Sequence, residues 1–298
     1  MSVKRKKASK GNRSFYICNN IILLFAFIIV AAPLVNVLAS SVSSPAALIK
    51  GKVSFWPVGF NLDAYKQIFQ SRLLLTGYKN SIIYMVVGTT INIIMTVLAA
   101  YPLSVKDFAG RKFLTGLFLF TMIFTAPLIP TYINIEQLGL VDTIWAMVLP
   151  GAISVYNLII ARTFFQSTIP DEMLEAARLD GADDICIMTR LVIPLSKSIL
   201  AVLVLYYAVA HWNSYFDAYI YLSSEKKFTL QVVLRNIMST AAALQEMADA
   251  TVDQSNRAAM IEVLKYAVIV FGSLPVIALY PLVQKHFVKG VMIGSLKG

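Results

Sequence analysis

Residues able to make or break covalent bonds are scarce in this chain, and they do not gather. His211 and His286 are its only histidines, and Cys18 and Cys186 its only cysteines. No CxxC or HExxH spacing offers metal ligands, no GxSxG presents a nucleophilic serine, and no GxxxxGK[ST] cradles a phosphate. The two cysteines lie in an apolar run and in a polar loop, which suggests no disulfide. Neither a catalytic centre nor a metal site is visible. The polar residues that do cluster have recognition chemistry.

The most informative cluster lies between Thr168 and Ser198: Glu175-Ala176-Ala177, then Gly181, then Leu191-Val192-Ile193-Pro194, set between two apolar runs. Thr168 is placed to cap a helix, with Asp171 three residues on as in a capping box and Pro170 at an early helical position. Asp171 and Glu172 suit the positive N-terminal end. Met173, Ala176, Ala177 and Asp180 then share one face at i, i+3, i+4 and i+7. Two alanines let a partner's backbone approach, and Glu175 offers an acceptor. Gly181 can take the left-handed conformation that ends a helix. Asp183 starts a second helix, which runs through Ile185 and Met188 to Pro194. The pattern predicts a compact knob that a partner can grip. An amphipathic helix lying in lipid headgroups is the alternative, but such helices are usually rich in Lys and Arg.

A second cluster, Trp212, Asn213, Tyr215, Asp217, Tyr219 and Tyr221, follows a long apolar run. Aromatic faces with amide and carboxylate groups suit sugars, which present C–H faces and many hydroxyls. Trp and Tyr also collect at membrane interfaces for positional reasons. Asn92 and Asn157, inside apolar runs, either line a pathway or hydrogen-bond between helices.

The elements that position these residues are membrane helices. The chain has 298 residues, of which 58% are hydrophobic and 14% charged; soluble domains carry about 25% charged residues. A bilayer-spanning helix needs about 20 apolar residues. Six stretches qualify: Tyr16–Leu38, Ser81–Val105, Phe113–Ile133, Ile144–Ala161, Leu200–Ala210 with its flanks, and Tyr266–Val283. The expected fold is an all-α membrane protein with six transmembrane helices. Prolines at 33, 102, 127, 130, 150, 275 and 281 mark these runs, as kinks beside a pathway or as ordinary bundle packing. Val37-Leu38-Ala39-Ser40 resembles a signal cleavage site, but the run before it exceeds the roughly 7–15 residues of a signal core, so it reads as a retained helix.

The net charge of +10 is read as membrane topology, not nucleic-acid binding. Sixteen of the 26 Lys and Arg fall on one set of alternate loops, six of them in the tail before the first span. Basic residues collect on cytoplasmic loops, so both termini are expected inside. The organisation expected is a basic tail at 1–13, a first helix at 14–39, an outer loop at 40–79 and a core at 80–283. The core carries the inner loop 166–194 and the outer segment 213–259, and residues 284–298 form an inner tail. Leu62, Tyr65, Ile68 and Phe69 predict a short surface helix after an Asn61 cap. The apolar runs hold almost no ionisable residues, which argues against an ion-coupled carrier, because buried Asp, Glu, His or Lys mark such pathways.

Glu175-Ala176-Ala177, three residues, Gly181, nine residues and Leu191-Val192-Ile193-Pro194 resemble the EAA loop of permease subunits in bacterial binding-protein-dependent ABC importers. Leu and Ile are exchanged relative to that family's Ile-x-Leu-Pro ending. Asn80-Ser81, Ala100-Tyr101-Pro102-Leu103, Ile129-Pro130-Thr131-Tyr132, Trp212-Asn213 and Phe287-Val288-Lys289-Gly290 extend the similarity from about residue 60 to the end. The pattern is most similar to the second permease of maltose-type, polysaccharide and lipoprotein-type carbohydrate systems.

That resemblance implies a type I importer permease with a cytoplasmic coupling helix. Met173, Glu175, Ala176, Ala177, Asp180, Gly181, Ala182 and Pro194 would then meet an ATPase subunit, and Gly294, Ser295 and Lys297 of the tail would lie near it. It implies a second, homologous permease, two ATPase subunits that hold ATP and Mg, and an extracytoplasmic solute-binding lipoprotein that delivers an oligosaccharide. Asn92, Asn157, Trp212, Asn213, Tyr215 and Asp217 are the candidates for the pathway. No cofactor is expected on this chain, which would be a non-catalytic subunit. The same role for a peptide or polyamine, and an ion-coupled carrier, are the alternatives.

Overall fold

The computed structural model describes residues 10–246, 260–279 and 281, and all regular elements among them are helices. The tail residues Gly294, Ser295 and Lys297 lie outside the described residues. Contacts divide the chain into two bodies. One comprises residues up to Gln70 with Ile237–Phe271, and the other Ser71–Asn236 with residues from Gly272 on.

In the first body, α1 (Lys10–Ser41) carries a 27-residue apolar stretch of mean hydropathy 2.9, with none of its most apolar window buried. Uniform apolarity without a polar face is what a helix in lipid needs. Serines close its end, Ser41 Oγ donating to the Leu38 carbonyl (2.8 Å) and Ser43 Oγ to that of Ala39 (2.6 Å). After α2 (Pro45–Ile49), Asn61 Oδ1 accepts from the Asp63 N–H at 2.6 Å and starts α3 (Asp63–Gln70) where the sequence predicts it. Ile68 is buried, whereas Leu62 and Phe69 of the expected stripe are exposed.

The second body is built on α4 (Arg72–Ser104), which the Ser71 hydroxyl caps by accepting from the Leu74 N–H at 3.3 Å. It begins nine residues before the predicted Ser81, so the preceding loop ends at Ser71. Thirty-three residues at 1.5 Å each make a rod of about 50 Å, longer than a bilayer's hydrocarbon core.

Two of the expected spans are broken. The third consists of α5 (Arg111–Ile123) and α6 (Leu128–Gln137), bent by 114° at Phe124–Pro127. Proline removes a helical N–H and disfavours helix in the residue before it, so Pro127 and Pro130 together break the run instead of kinking it. The fourth is split at Pro150 into α7 (Ile144–Val148) and α8 (Val155–Thr168). The fifth is found intact as α11 (Lys197–Trp212), which leaves the inner loop at a bend of 84°. The loop itself forms α9 (Asp171–Leu179) and α10 (Asp184–Leu195). α12 (Phe216–Tyr221), α13 (Leu230–Glu246) and α14 (Met260–Leu279) complete the described chain. Among the described residues three helices are long and apolar enough to cross a membrane, or five if each bent pair counts as one.

The main core of the second body joins α4, α8 and α11 through Val97, Ala100, Leu103, Leu158, Phe165 and Leu203, all buried. Leu174 of α9 and Ile187 and Val192 of α10 enter the same core.

Candidate functional site

Two features of the second body combine polar chemistry with defined geometry. The first is a cavity of about 620 Å³ between α4, α11 and the two broken spans. Pro150 cannot donate, and the chain leaves helical geometry from Gly151 to Ser154. Backbone left open at membrane depth must find partners or line a cavity. Here α4 and α11 supply them. Asn92 Nδ2 donates to the Gly151 carbonyl at 2.6 Å, and the Ser154 N–H donates to the Tyr207 hydroxyl at 3.3 Å. Tyr207 and Thr96 share a further hydrogen bond of 2.7 Å. With its amide nitrogen committed to Gly151, Asn92 turns Oδ1 toward His211 Nε2 at 2.6 Å, so that nitrogen carries the proton. Gly88, one turn before Asn92, leaves room for the imidazole, because a Cβ there would come within 2.4 Å of His211 Nε2.

Asn92, Asn157 and Asp217, three of the six residues singled out for a pathway, line this cavity. The other three do not. Trp212 is 1% exposed, donates from Nε1 to the Gly272 carbonyl at 2.9 Å and packs edge-on against Tyr78. It is a packing residue, and its indole N–H is satisfied as a buried one must be. Asn213 ends α11 and is exposed away from the cavity. Tyr215 stacks on Tyr219 at 5.8 Å. The cavity also takes in His211, Tyr207 and Ser154, which periodicity alone could not assign.

Asp142 organises the end of this body away from α9. It has φ +58°, a conformation Asp tolerates better than most residues, and it accepts from the Ser223 and Ser224 N–H groups at 3.0 and 3.1 Å. Lys227 Nζ donates to its carboxylate at 2.7 Å. Lys227 beside it holds the Asp142 carboxyl well below the usual carboxylate range, with Ser224 adding to the effect against partial burial.

The second feature is the polar knob. Thr168 ends α8 and caps nothing; α9 starts after Pro170, so Asp171 is its first residue, not its third. The helix α8 simply runs on to the point where Pro170 stops it. Asp171 instead pairs with Lys106, which raises the lysine's proton affinity. Gly181 has φ +81° and Asp183 Oδ1 accepts from the Cys186 N–H at 2.8 Å, as the sequence predicts for both. A wide π turn, Met188–Val192, precedes Pro194 and lets the helix continue past it to Leu195.

Leu174 is buried and Ala177 half-buried, so Ala177 faces the bundle and leaves the outward face to Met173, Glu175, Ala176 and Asp180. Ala182 is half-buried too. Leu179 is 89% exposed and Ile185 68% exposed. Neither fits the predicted stripe, and apolar side chains held in water are the signal that should have drawn attention to them. Asp184 ties the knob down, accepting from the Tyr101 hydroxyl at 3.0 Å with Arg178 at 3.5 Å.

No model of a protein family matches the chain. Among individual proteins, it is 39% identical over 97% of its length to Protein LplC of Bacillus subtilis, covering 97% of that protein. It is also 39% identical to the polygalacturonan/rhamnogalacturonan transport system permease protein YtcP of the same organism, covering 93% of this chain and 96% of YtcP. Among solved structures, it superposes with TM-score 0.83 on a chain of a bacterial ABC transporter involved in the import of the acidic polysaccharide alginate, at 33% identity over 95% of this chain and 100% of that one. The chain therefore belongs to the permease subunits of bacterial carbohydrate ABC importers, proteins of the cytoplasmic membrane.

Proposed function

We propose that this chain forms one half of a transmembrane pathway for an oligosaccharide. It pairs with a second, homologous permease, receives the sugar from an extracytoplasmic binding protein and is driven by two ATPase subunits that hold ATP and Mg. Both termini lie in the cytoplasm, six passes cross the membrane, and the loop 166–194 seats on an ATPase. Glu175, Met173, Ala176, Leu179 and Asp180 make the contact, while Ala177, Ala182 and Pro194 shape its base. The chain itself catalyses nothing.

One observation carries this reading: the wall of the cavity and the seat of the knob belong to the same three helices. α4 supplies Asn92 to the cavity and Leu103 to the core under the knob, α8 supplies Asn157 and Phe165, and α11 supplies His211 and Leu203. A push on the knob therefore reaches the cavity through packed helices, a two-state coupling of the kind that ligands bias. Amide, hydroxyl and imidazole groups beside Phe216 and Tyr221 suit the hydroxyls and C–H faces of a sugar.

The test is Glu175→Lys in the complete importer reconstituted in vesicles. ATP-driven saccharide uptake is lost while the subunit still inserts and assembles with its partner permease. Uptake that survives, or purification that never recovers an ATPase, overturns the coupling role.

A further inference from the structure

On the helix that borders the cavity, the side chains turned away from it form a second, distinct group. Asp217 and Tyr221 of α12 line the cavity. Tyr215 and Tyr219, on the opposite side by helical periodicity, stack on one another at 5.8 Å with 28° between their planes. The Arg235 guanidinium lies over both rings, 4.8 Å from the centroid of Tyr219 and 5.7 Å from that of Tyr215. Arg235 is exposed and Tyr219 is 52% exposed.

Among the described residues no carboxylate pairs with Arg235. Its orientation is fixed instead by two neutral rings, and cation–π contact holds a guanidinium without neutralising it. The planar fork keeps its donors and its whole charge for an incoming group, and it matches a carboxylate bidentately. The adjacent exposed ring and the tyrosine hydroxyls offer stacking and hydrogen bonds to the same ligand. A neutral sugar would use the rings and leave the cation idle. A sugar acid uses both.

We propose that Tyr215, Tyr219 and Arg235 form a saccharide-binding platform selective for uronate residues, which holds the carboxylated sugar on the face of α12 opposite the cavity. The proposal rests on the carbohydrate-import reading above and names the charge class of the sugar.

The test compares binding of labelled trigalacturonate with that of its fully methyl-esterified form, using the complete importer complex without its binding protein. The ester keeps size and hydroxyls and removes the charge. The wild-type complex is expected to favour the free acid by about tenfold, the worth of one charge-assisted hydrogen-bonded contact. Arg235→Gln abolishes that preference, and Arg235→Lys retains part of it because a point charge replaces the fork. Equal binding of acid and ester by the wild type overturns the platform, as does a preference that survives Arg235→Gln. If Arg235→Gln weakens docking of the sugar-free binding protein and leaves the preference intact, the group is a protein contact and the proposal fails. Wild-type vesicles that import the ester but not the acid refute only the uronate platform. Vesicles that import neither, nor any other saccharide, refute the import reading itself.

Discussion

His211 Nε2 and Asn92 Oδ1 stand 2.6 Å apart across the interface of α4 and α11, and the same asparagine holds the Gly151 carbonyl of the broken fourth span. One side chain thus joins two helices to the irregular segment between α7 and α8. The geometry depends on Gly88, whose missing Cβ lets the imidazole pack closely against the backbone of α4. Gly88→Ala pushes the ring away and releases Asn92. The expected cost is about 1–3 kcal/mol, typical of overpacking, seen as a lower melting temperature of the purified complex and reduced uptake. Gly116→Ala on α5 meets nothing within 4 Å and serves as the control. Equal melting temperatures for the two variants would show that the imidazole is free to move.

Asp142 gives a pH-dependent prediction. Lys227 and the Ser224 donors lower its folded proton affinity below the unfolded value. A depressed carboxylate stabilises the fold in full above the unfolded value of about 4 and stops doing so as pH falls through the folded one. The melting-temperature gap between wild type and Asp142→Asn should therefore be constant from neutral pH to about 5 and shrink below about 4. A gap unchanged by acid would mean that the backbone conformation at φ +58°, not the charge, makes the residue valuable.

Local chemistry made the knob legible before any coordinates. Gly181 and Asp183 are read from residue type and spacing, because a left-handed helix end and an N-cap depend only on near neighbours. Thr168 failed as a cap for a tertiary reason: α8 packs against α4 through Leu158 and Phe165, which extends it to Thr168. The prolines at 127 and 150 marked the right places, but sequence does not separate a kink from a break, since the freed carbonyls must find partners such as Asn92 on another helix. Trp212 and Tyr215 were both singled out for the pathway, and neither lines the cavity. Their directions are set by Gly272 and Arg235, which are distant in sequence.

Gly181 ends α9 at φ +81° with open space around it, so a side chain there meets no neighbour and its penalty is conformational. Gly181→Val should cost about 1–2 kcal/mol locally and reorient the exposed Leu179 and Asp180. Gly181→Asn, tolerant of the left-handed region, should behave nearly as wild type. ATPase copurification and uptake are the readouts. If Val and Asn behave alike, the turn does not set the knob's shape.

The stem of the knob is fastened at one further point. Arg162 Nε on α8 donates to the Leu103 carbonyl at 2.9 Å, and Gln166 Nε2 donates to that of Ser104 at 3.3 Å. These are carbonyls of the last turn of α4, which have no partner within their own helix, and a cation near that end also suits the helix dipole. Only Ile169 and Pro170 separate α8 from α9, so this tie lies on the shortest covalent route from the knob to α4. Arg162→Met leaves the Leu103 carbonyl unpaired, at a cost of about 1–3 kcal/mol, while keeping the aliphatic packing of the stem. The expected phenotype is a loosened linkage: less saccharide imported per ATP hydrolysed, and faster hydrogen exchange in the loop from Val105 to Gly110. Arg162→Lys, which keeps the charge and a donor, should recover part of both. An unchanged ratio of transport to hydrolysis in Arg162→Met would mean that force passes through the Leu174 and Ile187 packing alone.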